Sequence, residues 1–511
     1  MNFAFVAGDA TKARAEVVFL PVFDSELSSK KEPNELLVAA DKKTRGALLK
    51  LADAEGFKAR AEQVFVFQPQ GKLPATRLVL LGLGSRATLT HETLRQAAGR
   101  AAKLAQRLKA KQLAFAVPML SELDAFIKAV VEGFELGAYS YGKWKSRKQE
   151  LPVKLDRVQL YLPQGVKKQR SHDEMAAQGR LVAEATNWAR DLVNEPPASL
   201  TPTALAEEAK AMAKEAGLNI SIGDRKKITE LKMGMFLGVA RGSVEEPRLV
   251  QLSYVPRDPE EAKRKPVVFV GKAITFDSGG LSLKPSDAMI DMKTDMAGSA
   301  AVLGAIKVVA KLKPSFPVHA FFGACENMPS GNAYRLGDVL TARNGKTVEI
   351  TNTDAEGRLV LGDVLTWASE LKPAAIIDLA TLTGACIVAL GHVYAGAFSP
   401  NDELFSDVQA AALNAGEELW RLPVSEYVRD VIKSEIADLK NAGDRAGGAS
   451  SAALFLKEFV GDAPWLHLDI AGPSQSPRER GYYGKGATGC GVRTLVEFVL
   501  RHKAKLAVQA D

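Results

Sequence analysis

A chain of 511 residues is too long for one ordinary hydrophobic core, so two domains are expected. Hydrophobic residues at 46% and charged residues at 25% exclude a disordered or low-complexity chain. The net charge of +7 is uneven: residues 1–170 carry 29 Lys and Arg against 17 Asp and Glu, leaving 38 against 43 for the remainder.

Met1 to Ala10 lack the basic start and apolar run of a secretory signal. No run of about 18 apolar residues suggests a membrane-spanning helix. The nearest, Pro373 to Leu390, is broken by Asp378 and by several Thr and Gly, and reads better as a buried strand with its loop. The cytoplasm is the expected location. Cys325, Cys386 and Cys490 are far apart and form no Cys-x-x-Cys pair, so free buried thiols are expected.

The first elements alternate. Strands are predicted over Val17–Val22, Val64–Phe67, Leu78–Leu83, Leu113–Val117 and Val158–Leu162, and helices over Glu35–Leu51, Thr90–Leu108 and Leu120–Leu136. A helix from His172 to about Val193 stops at Asn194-Glu195-Pro196-Pro197, because proline disfavours helical geometry in the residue before it. The reading is an N-terminal α/β domain (1–170), a connecting helix (171–195) and a second domain (196–511). The second restarts with Thr201 as helix cap and Pro202 in the first turn. Strands follow over Pro266–Val270, Val318–Phe322, Val348–Thr351 and Ala375–Leu379, with helices over Asp295–Leu312 and Leu359–Leu371. That alternation predicts an α/β/α domain around a mainly parallel sheet, whose ligands bind beyond the carboxyl ends of its strands.

Three segments near those ends hold unusual polar residues: Gly271 to Gly280 with Lys272 and Asp277; Lys284 followed by Met292 to Gly298 with Asp295; and Asn352 to Leu359 with Asp354 and Glu356. In an extended segment, residues two apart point to one side, so Asp354 and Glu356 are expected to aim at one spot. Any one of these acids could be a cap or turn residue, Asp295 as a helix N-cap among them. Together they would gather four negative charges, which two divalent cations would compensate. Competing chemistries fail on their patterns. His91-Glu92 lacks the second histidine of a His-Glu-x-x-His site. Gly345-Lys346-Thr347 lacks the earlier glycine of a phosphate loop, Leu340 standing in its place. Gly82-Leu83-Gly84 lacks the third glycine of a dinucleotide fingerprint, and no Gly-x-Ser-x-Gly elbow occurs. His467 is expected to be a satisfied core residue.

The segments Val270–Gly280, Met292–Gly298 and Asn352-Thr353-Asp354-Ala355-Glu356-Gly357-Arg358-Leu359 resemble the leucine aminopeptidases, or cytosol aminopeptidases, of the bacterial aminopeptidase A type. The resemblance covers the second domain, including Asn194–Pro197 and Asp469–Gly472. It implies a zinc- or manganese-dependent exopeptidase releasing N-terminal residues from peptides. One metal would be held by Asp277, Glu356 and the side chain and carbonyl of Asp354; the other by Lys272, Asp277, Asp295 and Glu356. Lys284 and Arg358 match the two non-ligand catalytic positions, Arg358 holding a bicarbonate as general base. An ordinary salt bridge is the alternative for Arg358. Met292, Thr381 and Ala471 would line a pocket for Leu- or Met-like side chains. A homohexamer is implied. A lysine ligates a cation only when neutral, so Lys272 must titrate well below the usual value near 10.4. Some bacterial members also bind DNA, and the basic residues Lys103, Arg107, Lys109, Lys111, Lys143, Lys145, Arg147 and Lys148 are candidates for such contacts.

Overall fold

The computed structural model describes residues 1–28, 34–147 and 151–508. It divides into two compact units, Met1–Glu184 with residues 478–484, and Ala185–Pro477 with residues 485–511. The division falls inside one long helix, Arg170–Asn194.

The first unit is built on a six-stranded sheet in the order Asn2–Ala7, Arg157–Leu162, Gln112–Ala116, Val17–Phe23, Arg77–Gly84, Val64–Phe67. All neighbours are parallel except the last pair. Every residue of Val17–Phe23 is buried, which is why that strand reads as an unbroken apolar run. The helix expected over Glu35–Leu51 is two helices, Glu35–Lys43 and Ala47–Ala54. Gly46 lies between them at φ +78, a left-handed conformation that turns the chain and that glycine adopts at little cost. The helix expected from Leu120 starts at Leu123.

The second unit carries a nine-stranded sheet. Its centre runs Trp465–Asp469, Ala375–Ala380, Val267–Gly271, Val318–Asn327, all parallel. Arg248–Tyr254 and Asn219–Gly223 extend it antiparallel on one side, and Ala395–Phe398 and Leu419–Arg421 lie on the other. Helix Gly357–Ser369 packs on the face carrying Val268, Val270 and Ile376. Helix Ala297–Leu312 packs on the opposite face, where Ala301 lies near Leu379. The strand expected over Val348–Thr351 is Thr347–Glu349, and it belongs to a separate small sheet with Val339–Thr341 and Leu439–Lys440. Among the described residues, no helix is long and apolar enough to cross a membrane. The Pro373–Leu390 run resolves into the strand Ala375–Ala380, a loop and the short helix Gly384–Leu390. All three cysteines are buried and free.

Candidate active site

The central strands end together, and the polar segments begin where they end. After Val267–Gly271 the backbone N–H of Lys272 donates to Leu379 O at 2.9 Å. The chain then resumes as Ala273–Asp277 and pairs with the last residues of Val318–Asn327. Asp277 is thus held at a strand terminus, and Thr381 follows the neighbouring strand Ala375–Ala380. Asp295 does not cap a helix. It closes the single turn Met292–Thr294, helix Ala297–Leu312 begins two residues later, and its side chain is turned inward. Nor is Asn352–Glu356 extended: Asp354 lies in a turn and Glu356 has helical backbone angles at the start of helix Gly357–Ser369. The turn brings their carboxylates together where an extended strand was expected to.

All ten residues singled out from the sequence line one cavity of about 730 Å³. Within it, carboxylate oxygens of Asp277, Asp354 and Glu356 lie within 4.8 Å of one another. Two ammonium groups are inserted among the acids. Lys272 Nζ is 2.7 Å from Asp295 Oδ2 and 2.9 Å from Glu356 Oε1, and donates to Thr381 O at 3.1 Å. Lys284 Nζ is 2.9 Å from Asp277 Oδ2 and also contacts Asp354 Oδ1. Thr381 Oγ1 donates to Asp295 Oδ1 at 2.7 Å. Burial alone would depress Lys272, but Asp295, Glu356 and Asp277 hold its ammonium above the ordinary lysine range. Lys284 is raised in the same way, against burial, by Asp277, Glu356 and Asp354. The depressed Lys272 expected from the sequence is therefore not produced by the protein's own charges. Burial first, and repulsion from Asp277 second, raise Asp354 and Glu356. Asp295 is raised by burial while Lys272 opposes the shift.

Arg358 is buried, and burial lowers its guanidinium to about 10. Among the described residues it pairs with no carboxylate, so the salt-bridge alternative finds no partner. Its Nη1 donates to Asn441 O at 2.9 Å, and its Nε is buried without a hydrogen-bond partner.

Sequence reading missed the residues that hold these groups in place. Asn327 Nδ2 donates to Asp277 Oδ1 at 2.8 Å and to Thr353 O at 2.9 Å, and the hydroxyl of Tyr334 donates to Thr353 O at 2.7 Å. Thr353 Oγ1 donates to Gly279 O at 2.7 Å, tying the third segment to the first. Asp469 accepts from the backbone of Leu382 and Ala471 and from Thr383 Oγ1, so one carboxylate joins both sides of the pocket residues Thr381 and Ala471. The signal available for Asn327 and Asp469 was position: each is the polar last residue of a buried central strand. His467 is a core residue, as expected, but satisfied on one side only. Its Nδ1 lies 2.6 Å from Asp378 Oδ1, and Nε2 has no hydrogen-bond partner. Burial opposes its protonation and Asp378 overrides that, raising its pKa.

In the first unit, Lys103 and Arg107 lie 3.4 and 2.6 Å from Glu479, so part of the basic cluster is neutralised within the unit. Lys148 lies outside the described residues.

Residues 187–496 match the catalytic domain of the cytosol aminopeptidase family, and residues 19–148 match that family's N-terminal domain. A probable cytosol aminopeptidase of Alkaliphilus oremlandii is 43% identical over 92% of this chain and 94% of its own length. One from Aquifex aeolicus is 41% identical over 96% and 97%. Among solved structures, a mutant of tomato leucine aminopeptidase superposes with TM-score 0.88 at 36% identity, covering 98% of this chain and 97% of that one. The bottromycin maturation enzyme BotP in complex with Mn gives 0.83 at 35%, covering 96% and 100%. Both units, their motifs and the near-complete coverage agree: this chain belongs to the cytosol aminopeptidase family and is an aminopeptidase, a hydrolase.

Proposed function

We propose that the cavity releases N-terminal residues from peptides by two-metal hydrolysis, with a preference for Leu- and Met-like side chains. The observation carrying this reading is the acid–lysine cluster, where four buried or half-buried carboxylates converge on two ammonium groups. Its donors suit hard divalent cations, and Glu356 Oε2 is a buried acceptor with no hydrogen-bond partner. The relative solved with Mn supports the same metal class. Asp277, Glu356 and the side chain and carbonyl of Asp354 would hold one ion. Lys272, Asp277, Asp295 and Glu356 would hold the second. Manganese and zinc both fit. Divalent cations here would supply Lewis acidity and lower the pKa of water. Neutral Lys272 is required for ligation, and cations would reverse the field that now raises it.

The other roles follow from the residues' chemistry. Lys284, remaining charged, stabilises the oxyanion that forms as the peptide carbonyl becomes tetrahedral. Arg358 offers a planar fork to a bicarbonate, which would supply a general base. Met292, Thr381 and Ala471 shape the pocket for the first side chain. A cytoplasmic homohexamer completes the proposal, and native mass measurement tests the assembly. The decisive assay is leucine p-nitroanilide hydrolysis with manganese or zinc and after chelation. Activity should require metal and vanish with chelator, and persistence of full activity in chelator overturns the reading. Glu356→Ala should lose both turnover and bound metal.

A second reading, DNA binding by residues 1–170, rests on their excess of Lys and Arg. The Lys103–Arg107–Glu479 contacts weaken it. Gel shifts across salt decide: binding that survives physiological salt supports it, and loss at modest salt leaves only nonspecific attraction.

A further inference from the structure

Asn441 lies more than 80 residues downstream of the octapeptide, outside all three polar segments, and is fully buried. It follows the two-residue strand Leu439–Lys440, whose parallel pairing with Thr347–Glu349 places it beside the start of the octapeptide. Its own N–H donates to Glu349 O at 3.0 Å.

Every polar atom of its side chain is then used on one loop. Oδ1 accepts from Thr351 N at 2.9 Å and from Asn352 N at 3.3 Å. Nδ2 donates to Asn352 O at 2.6 Å and to Ala355 O at 3.3 Å. Its backbone carbonyl accepts from Arg358 Nη1 at 2.9 Å. One residue therefore grips the chain on both sides of Asp354, between Asp354 and Glu356, and at Arg358. Only a carboxamide can accept and donate at once in this way. Aspartate would turn a carboxylate toward two carbonyls, and a small side chain would leave Thr351 N, Asn352 N and Ala355 O without partners, Asn352 O keeping only its bond from Ala355 N.

The bond from Arg358 Nη1 also fixes the guanidinium. It commits one nitrogen to protein backbone and leaves Nε as a buried donor without a partner. Bidentate oxyanion binding by Arg358 needs the Nε edge free and the plane held still.

We propose that Asn441 is a positioning residue for the reaction, holding Arg358 and the Asp354–Glu356 turn in register. This rests on the aminopeptidase reading above. In Asn441→Ala, kcat should fall about 10- to 100-fold, with KM within about threefold. Half-maximal stimulation by added bicarbonate should move to higher concentration, a shift that a general loss of stability does not produce. Independently of activity, hydrogen exchange at the amides of Thr351 and Asn352 should quicken about tenfold, the loss of one hydrogen bond each. Asn441→Asp keeps the side-chain volume and serves where the alanine variant folds poorly; it should show the same kinetic defect. Asp438→Asn is the control. It perturbs the same small sheet, where Asp438 Oδ2 accepts from Thr347 N at 2.8 Å, without touching the loop. Wild-type kcat and bicarbonate response in both Asn441 variants overturn the proposal, as does an equal loss in Asp438→Asn. If the wild-type chain shows no metal-dependent activity, the two-metal reading fails, and the exchange result judges Asn441 alone.

Discussion

Gly357 has no side chain, and Lys272 runs through the space where one would stand. A Cβ added there would lie 2.3 Å from Lys272 Cε and 2.5 Å from Nζ. The glycine of the octapeptide is thus a requirement for close approach, set by a lysine 85 positions earlier. Gly357→Ala should displace Nζ from between Asp295 and Glu356, cutting kcat/KM by on the order of 100-fold, the cost of an ångström-scale misplacement. Because the lysine tip is flexible, the melting temperature should move little. Kinetics and a thermal melt on the same preparation check this, and a wild-type kcat/KM would show that Lys272 can leave its place without consequence. At this scale the sequence was informative about identity and silent about support. Lys272, Asp277, Asp295, Asp354 and Glu356 announce themselves as charges clustered in three segments that follow predicted strands. Asn327, Tyr334 and Asn441 are neutral and bond mostly to backbone, so nothing in their type separates them from ordinary buried polar residues.

Between elements, the same division recurs. The buried strands were legible because an uninterrupted apolar run as short as Val267–Gly271 suits a strand covered on both faces. Local geometry at the site was not, because Asn352–Glu356 takes its shape from distant partners and not from its own propensities. Asp363 is a further case. It sits on helix Gly357–Ser369, fully buried, and accepts the backbone N–H groups of Phe236 at 2.9 Å and Arg343 at 2.7 Å, so it joins three elements. Burial lifts its pKa from 3.8 to about 7, against the pull of those N–H groups. A carboxyl raised on folding binds its proton more tightly when native than when unfolded. Its contribution is complete below about pH 4 and is lost as pH rises to 7. Thermal melts from pH 4 to 8 should therefore show a falling contribution, on the order of 4 kcal/mol or several degrees in melting temperature. Asp363→Asn cannot ionise and should lose that part of the slope, and parallel curves for the two proteins would contradict it.

The whole molecule separates charge by unit. The excess of Lys and Arg in residues 1–170 was visible in the composition, and so was the acidic remainder. The grouping of residues 478–484 with the first unit was not, because chain order places them among catalytic-unit residues. Within the second unit, four carboxylates face two ammonium groups and one guanidinium in a single cavity. Folding gathers these like charges, so ions that bind only the folded cluster must stabilise the chain. Free metal at about 100 times its dissociation constant contributes roughly 2.7 kcal/mol per site, which is several degrees of melting temperature in a chain of this size. Calorimetry of the full chain with increasing manganese or zinc should show a rising transition, reversed by chelator. Glu356→Ala and Asp277→Ala should each abolish most of the shift, since both acids would serve both ions. Asp354→Ala, touching one site only, should keep roughly half. A melting temperature indifferent to metal would mean that the lysines already balance the acids and that the cluster is a salt-bridge network.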